Sequence, residues 1–205
     1  MADNAPLDLV DGWLLCGGEG RRMGGQDKGL LPWHDTPLAL HVARILAPQV
    51  HQLTLNANRH LDQYARWGWP VQPDAPALPP KAGPLAGMLT GLQHTTTHWI
   101  QFSPCDSPSL PPDLVATLQQ AAAKAQALVA VPISIDPATG EPRHHWTTAL
   151  LHRDCTPVLA DKFQQGERRV GECLRACPWI GVCFERPADF LNINTPETMH
   201  GTPWH

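Results

Sequence analysis

Residues that suit phosphate chemistry are concentrated near the N-terminus. Five glycines fall between Gly17 and Gly25, two arginines stand among them, and Lys28 follows shortly after. Because glycine has no Cβ, such a loop can bring its backbone N–H groups close to a ligand. N–H groups and nearby cations together stabilise a bound phosphate chain. The segment therefore predicts a phosphate-binding loop with Arg21, Arg22 and Lys28 as its cations, and a glycine-rich hairpin without a ligand is the alternative.

Two familiar glycine motifs do not describe this loop. A P-loop carries a serine or threonine directly after its lysine to reach magnesium, whereas Gly29 follows Lys28. A dinucleotide-binding fingerprint repeats glycine as G-x-G-x-x-G. Gly18 and Gly20 would begin that pattern, but Met23 occupies the place of its third glycine. A nucleotide-binding loop at this position is therefore neither a P-loop nor a dinucleotide-binding fingerprint.

Asp106 is the candidate metal ligand. It follows the apolar residues 99–102 and lies between Pro104 and Pro108, so it stands at the end of a predicted strand. Magnesium prefers one or two carboxylates together with phosphate oxygens and water. The alternative role is that of a helix N-cap, but Asp113 already supplies the acid at the start of the next predicted helix.

Polar residues also follow the second and third predicted strands. Asn56 comes directly after residues 50–55, and Asp74 lies just past residues 71–72. In open α/β sheets, ligands bind outside the carboxyl ends of the strands. The Asn56 amide can pair with a base edge or a ribose hydroxyl, although asparagine at this place is also typical of a turn.

Strand-like and helix-like segments alternate along the chain, which predicts an α/β fold with a mostly parallel sheet and helices on both faces. A chain of 205 residues suits a single domain spanning residues 1–205. Apolar runs predict strands at residues 13–16, 50–55, 71–72, 99–102, 128–132, 147–151 and 179–184. Helical spacing predicts helices at residues 37–46, 61–67, 84–92, 112–126 and 154–163, and another that runs through Cys177. The polar residues 134–146 are predicted to be irregular.

Composition argues against two classes of partner. The net charge of −4 offers no basic field for a nucleic acid backbone. No apolar run approaches the roughly 20 residues of a membrane-spanning helix, and the acidic N-terminus lacks the apolar region of a signal peptide. We therefore expect a cytoplasmic protein whose six cysteines are thiols. Cys173 and Cys177 are expected on one helix face, either as small buried residues or as zinc ligands.

The glycine-rich segment resembles the signature loop of the molybdenum cofactor guanylyltransferases, L-A-G-G-x-x-x-R-M-G-G-x-D-K-G-L. The match runs from Leu15 to Leu30, with Cys16 in place of the usual alanine. Cytidylyltransferase relatives usually begin this loop with A-A-G and end it with P-K, so the Gly-Gly and Asp-Lys pairs of this chain are similar to the guanine branch. Later segments that also resemble family motifs are residues 56–60, 83–87, 105–108 and 190–197.

This resemblance implies a three-layer, Rossmann-like nucleotidyltransferase fold. It implies the transfer of GMP from GTP to the terminal phosphate of molybdopterin, with release of pyrophosphate. The N-terminal half of the chain would bind GTP and the C-terminal half would bind molybdopterin. Proteins that supply molybdopterin or mature molybdoenzymes are the implied protein partners.

The resemblance also implies roles for individual residues. Asp106 would bind Mg²⁺, while Arg21 and Lys28 would neutralise the triphosphate. The residues assigned to the nucleotide are Leu15, Cys16, Gly17, Gly18, Lys28, Asn56, Asp74 and Asp106. Molybdopterin is assigned to Arg168, Arg169, Asn192 and Asn194. The planar forks of two adjacent arginines suit a phosphate or a pterin, although a solvated helix start would have the same composition.

Two other functions remain compatible with these residues. One keeps the fold and uses CTP, with molybdopterin or another phosphorylated small molecule as the acceptor. The other is a non-catalytic nucleotide-binding adaptor that delivers the cofactor. The presence of both Lys28 and Asp106 favours an enzyme over the adaptor, and the choice between GTP and CTP needs a direct measurement.

Overall fold

The strand that precedes the glycine-rich segment lies inside a sheet with neighbours on both sides. The structure, a computed structural model, describes residues 8–16, 26–80 and 82–193. Its strands are β1 (Val10–Leu15), β2 (Pro32–Trp33), β3 (Thr36–Pro37), β4 (Leu53–Asn56), β5 (Val71–Gln72), β6 (Trp99–Pro104), β7 (Val129–Ile135), β8 (Pro142–His144), β9 (Leu150–His152) and β10 (Trp179–Phe184). Its α-helices are α1 (Leu38–Leu46), α2 (Leu61–Ala65), α3 (Pro84–His94), α4 (Leu114–Ala125), α5 (Thr156–Gln164) and α6 (Val170–Leu174). Short 3₁₀ turns cover Lys28–Leu30, Ala47–Gln49, Arg153–Cys155 and Pro187–Phe190.

Across the described residues, eight strands form one sheet in the order β10-β7-β9-β6-β1-β4-β5, with β8 paired to β7. Strand β1 pairs in parallel with β4 on one side and with β6 on the other. Strand β9 is inserted antiparallel between β6 and β7. Strands β2 and β3 form a separate small antiparallel pair. The predicted α/β class with a mostly parallel sheet is confirmed.

Helices cover both faces of this sheet, because alternate residues of each strand point to opposite sides. Leu14 of β1 belongs to a core that includes Val42 of α1 and Leu118 of α4. Trp13 belongs to the opposite core, which includes Met88 of α3 and residues of α5 and α6. A strand that is buried on both faces reads as an almost continuous apolar run. Each large apolar side chain so buried contributes about 1.5–3 kcal/mol to folding.

The prediction that residues 134–146 are irregular is wrong in part. Strand β7 continues to Ile135, and β8 pairs with it antiparallel, with His144 opposite Ile133. Pairing between β7 and β8 satisfies the backbone hydrogen-bonding groups of this polar segment. Local hydropathy does not show which two stretches of a chain will pair. None of the described helices is long and apolar enough to cross a bilayer.

The prediction for the two neighbouring cysteines is also wrong in part. Helix α6 ends at Leu174, so Cys177 lies beyond the helix and does not share a helical face with Cys173. Both residues are nevertheless buried in the core beside α5 and α6. They therefore pack as small apolar side chains, the first of the two roles considered for them.

A half-buried histidine, His145, links the β7–β8 pair to the 3₁₀ turn Pro187–Phe190. The Nε2 atom of His145 lies 2.8 Å from the Oγ of Ser134, and its ring stacks on Phe190 with centroids 4.5 Å apart. Burial, aided by the charges of Arg143 and His144, lowers the pKa of His145 to about 4. The imidazole is therefore neutral in the folded protein at neutral pH.

We expect the free energy of unfolding to decrease as the pH falls from 6.5 to about 4. In this range His145 of the unfolded chain takes up a proton that the folded protein excludes, so acid favours unfolding. After allowance for partial solvent screening, the loss should be on the order of 1–2 kcal/mol. Chemical denaturation at a series of pH values measures it. The His145→Gln substitution should weaken the dependence of the unfolding free energy on pH, and the control His51→Gln, at an exposed position, should leave that dependence unchanged. A His145→Gln protein with the same pH dependence as the original protein would contradict the expectation.

Candidate active site

The carboxyl ends of three adjacent parallel strands bring the predicted site residues to one edge of the sheet. Leu15 at the end of β1 lies in register between Asn56 of β4 and Pro104 of β6. The N–H of Cys16 donates to the carbonyl of Asn56 over 2.8 Å, and the N–H of Cys105 donates to that of Leu15 over 3.1 Å. These bonds continue the ladder past the strand ends and hold the following residues in place.

A close ion pair lies on the β6 side of this edge. The Nζ of Lys28, carried by the 3₁₀ turn Lys28–Leu30, donates to the Oδ2 of Asp106 over 2.6 Å. The two side chains are only 19% and 16% exposed. The Oδ1 of Asp106 is buried and has no hydrogen-bond partner among the described residues. Because an unsatisfied buried carboxylate oxygen is costly, this atom is suited to accept a cation or a donor from a ligand.

The loop that carries Asp106 is held by the C-terminal part of the chain. The N–H of Ile193 donates to the Asp106 carbonyl over 2.9 Å, and the Ser107 hydroxyl donates to the Oδ1 of Asn192 over 2.8 Å. The N-cap position of α4 is occupied by Asp113. Asp106 is therefore not the cap of that helix. Asn192 contacts the loop that carries Asp106 through Ser107, the next residue in the chain.

A second polar group lies on the β4 side. The Asn56 amide donates to the Oδ1 of Asp74 and to the carbonyl of Gln72, both over 3.0 Å. The Asn58 amide donates to the other carboxylate oxygen of Asp74 over 2.9 Å and accepts the Asp74 N–H over 2.8 Å. Both oxygens of Asp74 thus have a donor, which fixes the plane of the carboxylate. Asn56 bridges two strands rather than closing a local turn.

Two residues of this group were not assigned from the sequence. Asn58 is exposed and follows Asn56 by two positions, so a second asparagine in the same motif was the available signal. Gly87 of α3 lies against Asn56, and a Cβ there would be 2.3 Å from the Asn56 Oδ1 and 2.8 Å from the Leu15 Cδ2. A glycine inside an otherwise regular helix was the signal for this close approach.

The arginines assigned to molybdopterin are engaged within their own segment. Arg168 donates to the carbonyls of Phe163 and Glu167 over 2.7 and 2.8 Å, and its guanidinium lies 3.9 Å from the Phe163 ring centroid. Arg169 pairs with the Glu167 carboxylate at 3.1 Å. Hydrogen bonds from Arg169 lower the pKa of Glu167 to about 2. Both arginines are exposed, so a ligand reaching them would compete with these contacts.

Several predicted residues lie outside the described part of the chain, namely Gly17, Gly18, Arg21 and Asn194. Cys16 is buried directly after β1, and burial, with the neighbouring Cys105 thiol, raises the pKa of its own thiol. A thiol held neutral in this way is not poised for nucleophilic attack. Among residues 8–16, 26–80 and 82–193, no three His, Cys, Asp or Glu side chains gather to hold a metal ion. A cation at Asp106 would therefore complete its coordination with ligand oxygens and water.

Comparison with known proteins identifies relatives over nearly the whole chain. Residues 12–177 match the model of the MobA-like NTP transferase domain. A molybdenum cofactor guanylyltransferase from Cupriavidus taiwanensis is 43% identical over 192 residues, which is 94% of this chain and 95% of that protein. A protein of the same name from Yersinia pestis is 42% identical over 188 residues, which is 91% of each chain.

Solved structures share the fold. The molybdopterin-guanine dinucleotide biosynthesis protein A from Archaeoglobus fulgidus superposes with a TM-score of 0.74 at 20% identity, covering 92% of this chain and 94% of that one. The 2-C-methyl-D-erythritol 4-phosphate cytidylyltransferase from Thermus thermophilus has a TM-score of 0.70 at 13% identity, covering 91% and 94%. At these identities the likeness concerns the fold, which confirms the expected nucleotidyltransferase architecture.

We expect Gly87→Ala to destabilise the protein by about 1–3 kcal/mol, because its Cβ would overpack against the Asn56 amide and Leu15. Thermal and chemical unfolding measure this cost. In an Asn56→Ala background the amide is gone, so the same substitution should cost clearly less. Equal costs in the two backgrounds would show that Gly87 does not serve to accommodate Asn56.

Proposed function

The chain belongs to the molybdenum cofactor guanylyltransferase family, and we propose that the residues at the ends of β1, β4 and β6 perform its guanylyl transfer. In this reaction GTP and molybdopterin give the guanine dinucleotide cofactor and pyrophosphate. The single observation that carries the assignment of the site is the Lys28–Asp106 pair with its unpartnered carboxylate oxygen.

The chemistry needs no covalent nucleophile from the protein. The terminal phosphate of molybdopterin attacks the α-phosphorus of GTP, and pyrophosphate leaves. Both reactants are anions, so catalysis consists of positioning them and stabilising negative charge. A positively charged side chain and a metal-binding carboxylate at one sheet edge supply these two requirements.

The buried Oδ1 of Asp106 fits an Mg²⁺ ion. When bound, Mg²⁺ would act as a Lewis acid toward phosphate oxygens. A single carboxylate is enough for this ion because phosphate oxygens and water supply its other ligands. The Oδ2 of the same carboxylate is held by Lys28, so the side chain is oriented before any ligand arrives.

Lys28 has a second role in this proposal. Its ammonium lies beside the carboxylate and at the end of the glycine-rich segment, where a triphosphate would be bound. An ammonium has three donors, so it can keep its contact to Asp106 and still donate to phosphate oxygens. Arg21, which lies outside the described residues, is proposed to share this charge neutralisation.

The nucleoside is proposed to bind between the end of β1 and the Asp74 carboxylate. Guanine has N1–H and N2–H₂ donors on one edge, and ribose has hydroxyl donors. Both match a carboxylate whose plane is fixed by Asn56 and Asn58. Leu15, Cys16 and the two glycines that follow would flank the base.

The molybdopterin side is proposed to use the C-terminal half of the chain. The hydrogen bond between Ser107 and Asn192 supports this proposal, because it joins the asparagine to the loop that carries Asp106, where the two phosphates are proposed to meet. Arg168, Arg169 and Asn194 are proposed to contact the pterin or its phosphate. The N-terminal half would accordingly bind GTP.

We also propose that the enzyme works in the cytoplasm, together with proteins that supply molybdopterin and mature molybdoenzymes. All six cysteines are free thiols, which is typical of a reducing compartment. Their burial, with the exception of Cys183, suits a structural role rather than a redox one.

We expect Lys28→Ala to lower kcat/KM by about 10²–10³-fold, the effect of removing one charged donor from a phosphate transition state. Asp106→Asn should abolish most turnover while the fold is retained. Release of pyrophosphate from GTP, molybdopterin and Mg²⁺ measures both. Exposed Asp113→Asn, at an N-cap without a side-chain hydrogen bond, is the matched control. Full turnover by Asp106→Asn at limiting Mg²⁺ would overturn the metal assignment.

We expect GTP to be the preferred nucleotide when GTP, CTP and ATP are offered separately with molybdopterin and Mg²⁺. The same pyrophosphate assay gives kcat/KM for each. Preference for CTP would establish the cytidylyltransferase alternative instead. Binding of GTP without any release of pyrophosphate would indicate the adaptor.

A further inference from the structure

The chain contains a single tyrosine, and it lies in the core beneath the proposed lysine. Tyr64 of α2 is 0% exposed. Its phenol donates to the Oδ1 of Asp27 over 2.8 Å. Burial raises the pKa of the phenol, and the neighbouring Cys16 and Cys105 thiols act in the same direction. Tyr64 is therefore a permanently neutral donor.

The acceptor of this bond shapes the turn that carries the lysine. Asp27 is 8% exposed, and its Oδ1 also accepts the backbone N–H of Gly29 over 3.2 Å as the N-cap of the 3₁₀ turn. A Cβ on Gly29 would lie 2.4 Å from the Tyr64 hydroxyl oxygen. The turn thus rests directly on the phenol, and the backbone of Lys28 is held between two residues that Tyr64 contacts.

The same tyrosine connects the two halves of the site. Helix α2 begins five residues after Asn56, the residue that holds Asp74. The hydrogen bond from Tyr64 to Asp27 spans 37 positions of sequence and joins this segment to the lysine turn. The position of the ammonium is therefore tied to the strand that carries the nucleoside group.

We propose that Tyr64 is a positioning residue for guanylyl transfer, which holds Asp27 and through it keeps the Lys28 ammonium against Asp106. The proposal rests on the role assigned to Lys28 under the proposed function. Tyr64 itself does not touch the substrate. Without the phenol, the buried Asp27 carboxylate loses one donor, and such a loss is costly. The adjacent Lys28 carries the charge that would replace it, so its ammonium would be drawn away from Asp106.

The first test is Tyr64→Phe, which removes one oxygen and keeps the ring. We expect kcat to fall about tenfold, as for the loss of one hydrogen bond, with the KM for GTP nearly unchanged. Thr97→Val is the matched control, since it removes a hydroxyl that donates to the Trp99 carbonyl over 2.6 Å at the opposite end of β6. A control that loses as much kcat as Tyr64→Phe, or an unchanged kcat in Tyr64→Phe, would overturn the proposal.

A double-mutant cycle separates positioning from general stabilisation. If Tyr64 acts through Lys28, the loss of the phenol should have almost no effect on kcat in a Lys28→Ala background. A full tenfold loss in that background would refute the proposal. Lys28→Ala with unchanged kcat/KM would instead refute the proposed function of the lysine, so the two failures are distinguishable.

A second variant covers the case in which Tyr64→Phe does not fold, as judged by tryptophan fluorescence and thermal unfolding. Gly29→Ala displaces the turn from the phenol without removing the hydroxyl. It should lower kcat in the same way, and its effect should also vanish with Lys28→Ala. An unchanged kcat in a folded Gly29→Ala protein would count against the proposal.

Discussion

The contact between the Lys28 ammonium and the Asp106 carboxylate joins charges that are 78 residues apart in sequence. On an open surface such a pair contributes at most about 1 kcal/mol. Here both side chains are mostly buried, so loss of the lysine would leave the Asp106 carboxylate buried without the donor that Lys28 supplies to its Oδ2. The pair therefore constrains the site more than it stabilises the fold. It holds the carboxylate in one orientation and leaves its second oxygen for a ligand.

This contact exists because β1 and β6 are neighbours in the sheet. Burial of both faces of β1 selects a place with a strand on each side, and parallel pairing puts all three carboxyl ends at one edge. The ion pair then lies on the β6 side, and the Asp74 carboxylate with its two asparagines lies on the β4 side. In the proposed reaction two anions meet at this edge, and the positions of the Lys28 ammonium and the Asp106 carboxylate are set before they bind.

The sequence predicted the polar residues at the strand ends, but it did not predict the buried residues that pack near them. Asn56, Asp74 and Asp106 were predicted because each follows an apolar strand, and strand ends converge in any parallel sheet. Gly87 and Tyr64 were not, since their importance lies in distances to Asn56 and Asp27. Helical periodicity predicts the helices that carry these two residues, but it does not show either contact. Strand β8 was missed for a similar reason, because its pairing with β7 satisfies a segment that is locally polar.

The sequence by itself determined the α/β class, the family and the nature of the chemistry. Alternating apolar periods require a sheet covered on both faces, and the Asp-Lys and Cys-Asp motifs carry the charges needed for phosphate transfer. Only the tertiary structure decided which charges touch. It paired Lys28 with Asp106, gave Asp74 its two amide donors, and left Arg168 and Arg169 bonded within their own segment. The physical reason is that hydrophobic periodicity is a local property, whereas a contact at 2.6 Å depends on strand order and register across the whole sheet.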